Sequence, residues 1–155
     1  MTKQTHGQVR ISAQAQKTLL ADVSQRRDIE ACGLLLGCMD EQGHWQIEQA
    51  HPLRNIHNSS SYFEFAPEEL LEAELTFSDK IVGVYHSHPS GYATASQTDR
   101  DNMRRVNVEQ RIPWIWLIIK GPFNGRYEQP SMIAYHHYQR EGLRAIAVTI
   151  DREIP

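Results

Sequence analysis

The chain has 155 residues, with 16 basic and 19 acidic side chains, a formal charge of −3 and 40% hydrophobic residues. A chain this long buries roughly two-thirds of its unfolded surface, so it folds without a disulfide or metal staple, and a single domain over 1–155 is expected. The mixed charges form no long run of one sign, which excludes the basic footprint of a nucleic-acid binder or of a protein held to an anionic membrane.

From the start, "MTKQTHGQVR" is polar and lacks the apolar core of a secretory signal. No apolar run approaches the ~18 residues of a spanning helix, and a cytoplasmic location is expected. Between Ile11 and Arg27, the positions of Ile11, Ala15, Leu19, Leu20 and Val23 predict an amphipathic helix. "ACGLLLGCM" (Ala31 to Met39) is a short apolar run with glycines, hence a buried strand. The 2 cysteines, Cys32 and Cys38, are too few for a disulfide framework or a four-thiolate site. Their leucine-rich setting suits small buried hydrophobes, with a nucleophilic Cys32 as the alternative.

"HWQIEQAHPL" (His44 to Leu53) pairs with that strand through a turn near Asp40–Gly43. "SYFEF" (Ser61 to Phe65) alternates in part and reads as a strand. Pro67, Glu68 and Glu69 start a helix, with proline in the first turn and acids at the positive end of the dipole. That helix carries Leu70, Leu71, Leu75 and Phe77. "KIVGVYHSH" from Lys80 is a strand with β-branched and aromatic residues at its centre. "SGYATA" is loop, and "SQTDRDNMRRVNVEQ" from Ser96 is a helix. "WIWLIIKG" from Trp114 is a buried strand whose two tryptophans, Trp114 and Trp116, share a face and serve core or interface. "SMIAYHHY" and "LRAIAVTI" close the chain as two strands. The fold class is α/β (α+β), a mixed central sheet flanked by about three helices.

One stretch, "GVYHSHPSGYATASQTDRDNM" from Gly83 to Met103, concentrates residues that carry chemistry. In a strand, His86 and His88 face the same way with Cα atoms roughly 6.6 Å apart. Two imidazoles so placed can share one ion at ~2.0–2.1 Å, or be surface histidines at a strand end. Pro89 ends the strand just after them. Ser96 and Asp99 have the spacing of a capping box. The same placement puts a carboxylate at the helix's positive end, which keeps Asp99 ionised and available as an oxygen ligand. Two histidines and a carboxylate suit a catalytic zinc, because three protein ligands leave one tetrahedral position open. Glu30, just before "ACGLLLG", is the candidate proton acceptor. Asp28 in the same polar patch "RRDIE" is not separated from it by position. His51, His57 and the adjacent pair His136–His137 offer no shared ligand geometry, since neighbouring strand residues face opposite sides.

"EACGLLLG" followed downstream by "HSHPSGYATASQTD" resembles the JAMM (MPN+, JAB domain) zinc metallopeptidases. "NIHNSSSYFEFAPEELL" resembles the connecting segment of the short prokaryotic members. The resemblance implies a cytidine-deaminase-like MPN/JAB fold, with His86, His88 and Asp99 holding one Zn2+. It also implies Glu30 as general base and Ser96 as donor to the oxyanion. Ala95 stands where many members have proline, a departure that removes no reacting group. Asp99 to Trp114 leaves no room for the long insertion of the eukaryotic deubiquitinases, so the compact prokaryotic type is the closer likeness.

The implied reaction is zinc-dependent isopeptidase or peptidase hydrolysis of the amide bond after the C-terminal Gly-Gly of a ubiquitin-like β-grasp protein. A sulfur-carrier protein of that fold is the alternative substrate. Residues without Cβ suit a narrow slot beside a metal, and the stretch Asn58 to Phe65 is the expected edge for strand addition by the tail. A non-catalytic interaction module on the same fold and a small-molecule zinc hydrolase are the competing readings. The deaminase form of the latter wants a Pro-Cys-x-x-Cys pair that this chain lacks. Oligomeric state, a homodimer included, is left open.

Overall fold

Both faces of one sheet are apolar, and helices cover each of them. The computed structural model describes residues 7–89, 93–121 and 131–152. The first six residues and Ser90–Tyr92 of the "SGYATA" loop lie outside the described residues. The elements run β1 (Val9–Ile11), α1 (Ala13–Gln25), β2 (Cys32–Met39), β3 (Trp45–Leu53), α2 (Pro67–Phe77), β4 (Ile81–His88) and α3 (Gln97–Arg104). They end with β5 (Ile115–Lys120), β6 (Met132–Tyr138), β7 (Gly142–Ile146) and β8 (Val148–Ile150). The sheet has 8 strands in the order β7-β6-β5-β4-β2-β3-β1-β8. β1–β3, β1–β8 and β4–β5 are parallel and the other pairs antiparallel, so the sheet is mixed as expected.

The structure departs from the sequence expectations at several elements. Ile11 is not helical: it closes β1, and Ser12 accepts the Ala15 amide at 3.0 Å as the N-cap of α1. "LRAIAVTI" is two strands, because the chain leaves β6 after Ile146 and joins β1 at Val148. These partners lie at opposite ends of the strand order, so the sheet curls until a single residue, Ala147, bridges its two edges. The Val9 amide donates to the Ala147 carbonyl at 2.9 Å and fixes the seam. The helix from Ser96 ends at Arg104 and continues as a π-helical turn, Arg105–Glu109. The buried Asn107 amide in that turn bonds the carbonyls of Ile112 and Trp114.

The expected strand Ser61–Phe65 does not form; a single bridge joins Asn55 and Phe65. Leu71 and Leu75 of α2 are 56% and 76% exposed. The helix instead rests on Leu70, Ala73 and Phe77, whose i, i+3, i+7 spacing makes the inward stripe.

Strand alternation divides the core. α1 packs on one face, with Leu19, Leu35, Tyr85 and Leu117 at its centre. α2 and α3 cover the other, over Leu34, Leu36, Val84, Met103 and Trp116. Trp116 is thus core, and Trp114 packs partly buried against it. β4 is irregular beside β2: the register shifts between Leu35 and Leu36, so Val82 and Tyr85 both face α1. After that bulge, Val84 faces α3, and so do His86 and His88 beyond it. Gly33 has no room for a Cβ, which would meet the His51 carbonyl and the Tyr85 ring. α3 is the crossover between the parallel strands β4 and β5, so its N-terminus stands at the C-terminal end of β4. Among the described residues no helix is long and apolar enough to cross a membrane.

Candidate active site

The end of β4 and the start of α3 bring three side chains to one point. His86 Nε2 and His88 Nε2 are 3.1 Å apart. Asp99 places Oδ1 3.2 Å from the first and Oδ2 3.2 Å from the second. Four ligands around a tetrahedral ion at ~2.1 Å are about 3.4 Å from one another. This triangle of donors therefore fits one ion with little adjustment. Glu30 joins them: it offers a ligand atom within 4.8 Å of one from each histidine. Asp28 is exposed whereas Glu30 is 5% exposed, so the two acids that position alone could not separate are distinguished.

Ser96 and Asp99 form the capping box in full. Ser96 Oγ accepts the Asp99 amide at 3.1 Å, and Asp99 Oδ2 accepts the Ser96 amide at 2.9 Å. The capping interaction leaves the serine O–H free to donate elsewhere, since the amide uses only a lone pair of Oγ. Glu30, Ser96 and Asp99 line one narrow cavity of about 10 Å³ with Ser61, Tyr62 and Phe63. That is about the space of one water.

The electrostatics divide the two carboxylates. Burial pushes Glu30 up to about 7, with the Asp99 charge acting the same way and His88 opposing both. Burial also opposes ionisation of Asp99, but the hydrogen bonds of His86 and His88, the charge His86 carries when protonated and the Ser96 amide outweigh it. Asp99 is held well below the carboxylate range. Burial lowers His86 from its ordinary value against the pull of Asp99, which keeps the imidazole neutral and able to donate a lone pair. Among the described residues, His86 Nδ1 is buried without a hydrogen-bond partner. A carboxylate that favours its ionised form and an imidazole that favours its neutral form are metal donors, whereas a carboxyl raised towards neutrality suits proton transfer.

Residues 12–139 match the family of prokaryotic homologues of the JAB domain. The chain belongs to that prokaryotic JAB family. It is 38% identical over 76 residues to a desampylase of Haloferax volcanii, covering 46% of this chain and 52% of that protein. It is 32% identical over 94 residues to a desampylase of Pyrococcus furiosus, covering 59% of each. A third relative is tail tip assembly protein K of Escherichia phage lambda, 39% identical over 56 residues, covering 36% of this chain and 25% of that protein. The chain thus spans a little over half the length of the two desampylases and a quarter of the phage protein. The solution structure of protein DSY2949 from Desulfitobacterium hafniense superposes with a TM-score of 0.72 at 24% identity, covering 94% of each chain. That likeness supports the JAB fold of the sheet and helices.

Three residues around the site of this JAB domain carry no role in the sequence reading. Ser87, between the two histidines, is fully buried on the opposite face. Its Oγ accepts the Ala31 amide at 2.8 Å and donates to the Ile29 carbonyl at 3.4 Å, gripping both neighbours of Glu30. Phe63 stacks on the His86 ring, with centroids 4.6 Å apart and 24° between planes. Asn55 is 1% exposed and bonds the Glu30 carbonyl. Strand alternation points to a core position for Ser87, but Asn55 lies outside any periodic run, and the partial alternation of Ser61–Phe65 gives no sign that Phe63 stacks on His86.

The remaining candidates are occupied elsewhere. His136 packs against Trp45 and bonds the Trp114 carbonyl. His51 meets Phe77 edge-on, and His57 meets Tyr62. Cys32 is buried and its thiol is pushed up to about 12, chiefly by desolvation, so it is no nucleophile.

Proposed function

We propose that this JAB domain is a zinc-dependent isopeptidase or peptidase that cleaves the amide bond after the C-terminal Gly-Gly of a ubiquitin-like β-grasp protein. The observation that carries the proposal is the triangle of His86, His88 and Asp99 donors with the buried Glu30 carboxyl beside it. Two relatives named desampylase support a hydrolase that releases a protein modifier.

His86, His88 and Asp99 would hold the ion, which when bound lowers the pKa of water and polarises a carbonyl. Glu30 takes a proton from water as the water oxygen attacks the scissile carbonyl carbon. The Ser96 hydroxyl donates to the oxygen on which negative charge develops. Glu30 then gives its proton to the departing nitrogen as the C–N bond breaks, leaving a carboxylic acid and an amine, and the acid's proton then passes to the amine or to solvent.

The tail of the substrate needs a channel. The expected edge Asn58 to Phe65 is not available as a strand: the Ser59 carbonyl accepts the Glu30 amide, and the Glu64 carbonyl accepts the Ile56 amide. A cleft of about 360 Å³ borders the site instead, sharing Tyr62, Phe63 and Asn102 with the narrow cavity and floored by Trp114 and Trp116. An extended tail fits this cleft, with its glycines at the narrow end where a side chain would not pass.

The test is metal analysis of wild type and His88→Ala, together with cleavage of a β-grasp protein bearing a short C-terminal extension. Wild type should bind one zinc and cleave, and His88→Ala should do neither. Glu30→Gln should keep the metal and lose turnover by ~10²–10⁴. Cleavage by Glu30→Gln at the wild-type rate refutes the assigned base, and a wild type without zinc favours the interaction module.

A further inference from the structure

Asn55 follows β3 at the head of the segment that leads to α2, and its side-chain amide makes four hydrogen bonds. Nδ2 donates to the Glu30 carbonyl at 3.1 Å and to the Tyr62 carbonyl at 2.9 Å. Oδ1 accepts the His57 amide at 3.1 Å and the Glu64 amide at 3.3 Å. A primary amide has two donors and two acceptor lone pairs, so every capacity of this one is used. Its bonds reach two places that matter. One is the main chain of Glu30, which precedes β2 and has no ladder partner within that strand. The other is the pair Tyr62 and Glu64, which flanks Phe63, the ring stacked on His86.

That stack has a specific task. A metal-binding histidine is commonly held in orientation by an acceptor on its second ring nitrogen. His86 Nδ1 has no such acceptor, so the face of Phe63 takes over the orientation of the ring. We propose that Asn55 is a positioning residue that sets the general base and one metal ligand together, through the Glu30 carbonyl and through the backbone on either side of Phe63. The inference rests on the zinc-hydrolase reading of the site. It adds that the segment from 55 to 65 is part of the catalytic framework and not only its cover. Ser87 grips Ile29 and Ala31 from below the sheet, and Asn55 grips Glu30 itself from above.

The experiment uses the full chain and two readouts, zinc affinity by chelator competition and turnover of the extended β-grasp substrate. Asn55→Asp is nearly isosteric: it keeps both acceptor bonds and turns the donor end into an oxygen facing two carbonyls. It should weaken zinc binding and lower kcat, each by ~10–100-fold, with KM within about threefold. Tyr85→Phe is the structural control, since it loses a buried hydrogen bond to Asp22 on the other face of β4. It should lower the melting temperature and leave both readouts unchanged. Should Asn55→Asp not fold, Asn55→Ser and Phe63→Leu carry the same expectation for zinc affinity. Variants with wild-type zinc affinity and kcat, however much their melting falls, overturn the inference alone. A wild type that binds no zinc overturns the reading of the site and this inference with it.

Discussion

On the α1 side of β4, Asp22 accepts two hydrogen bonds of 2.7 Å from Arg26 and one of 2.6 Å from the Tyr85 hydroxyl. Arg26 gives two further hydrogen bonds to the carbonyls of Leu53 and Cys32. On the α3 side, one residue further along the same strand, His86, His88, Asp99 and Glu30 are also gathered out of water. There the imidazole nitrogens and carboxylate oxygens point at one another, and His86 Nδ1 has no partner. The first cluster is closed by its own hydrogen bonds. The second leaves donors converging on one point, an arrangement that a cation would balance. Burial alone therefore does not mark a site. The direction in which the polar atoms face does.

The sharpest way to break the comparison acts on the open face. Ser96→Gly removes the hydroxyl while costing only a few tenths of a kcal/mol as a cap, because glycine is tolerated at that position. If Ser96 serves chemistry, kcat should fall by ~10²–10³ while the melting temperature barely moves. Steady-state kinetics beside a thermal melt decide it. A fall in melting with unchanged kcat leaves Ser96 as a cap alone.

The next effect belongs to the closed face and takes the opposite form. Arg26→Ala strands a buried Asp22 carboxylate and two carbonyl groups, which should cost about 3 kcal/mol of stability. Zinc content and kcat, measured well below the melting transition, should stay within twofold of wild type. Urea denaturation against metal analysis makes the test. Loss of zinc in Arg26→Ala would show that the two faces are one coupled network and not two.

The meeting of His86, His88 and Asp99 was legible in the sequence because its parts are local. Strand alternation aligns His86 with His88, Pro89 turns the chain, and the three-residue step from Ser96 to Asp99 is a helix-capping spacing. Glu30 was legible through the resemblance, not through periodicity, since the nearby Asp28 fits the same polar patch. What stayed hidden is non-local. The seam at Ala147 depends on the accumulated curl of the sheet, which no window of "LRAIAVTI" contains. The segment Ser61–Phe65 alternates well enough for a strand, but Asn55 engages the Tyr62 carbonyl and the Glu64 amide with its side chain. A side-chain amide competing for backbone groups leaves no periodic trace. The network of Asp22, Arg26 and Tyr85 likewise joins residues 63 apart.

The smallest effect tests the helices that cover the two faces. α1 buries Ala15, Leu19 and Val23, while α2 buries Ala73 alone and leaves Leu71 and Leu75 in solvent. Its two outward leucines are one turn apart, so composition assigns them to the core although the angle of the helix does not. Leu75→Gln should change stability by less than about 0.5 kcal/mol, as befits a surface position. Ala73→Leu, two residues away, should cost about 1–3 kcal/mol, because Ala73 is buried in the core beneath α2 and three more carbons would overpack it. Paired thermal melts read both. If Leu75→Gln proves as damaging as Ala73→Leu, the outer stripe of α2 is covered in solution, and the open face of the sheet is more enclosed than the isolated chain makes it.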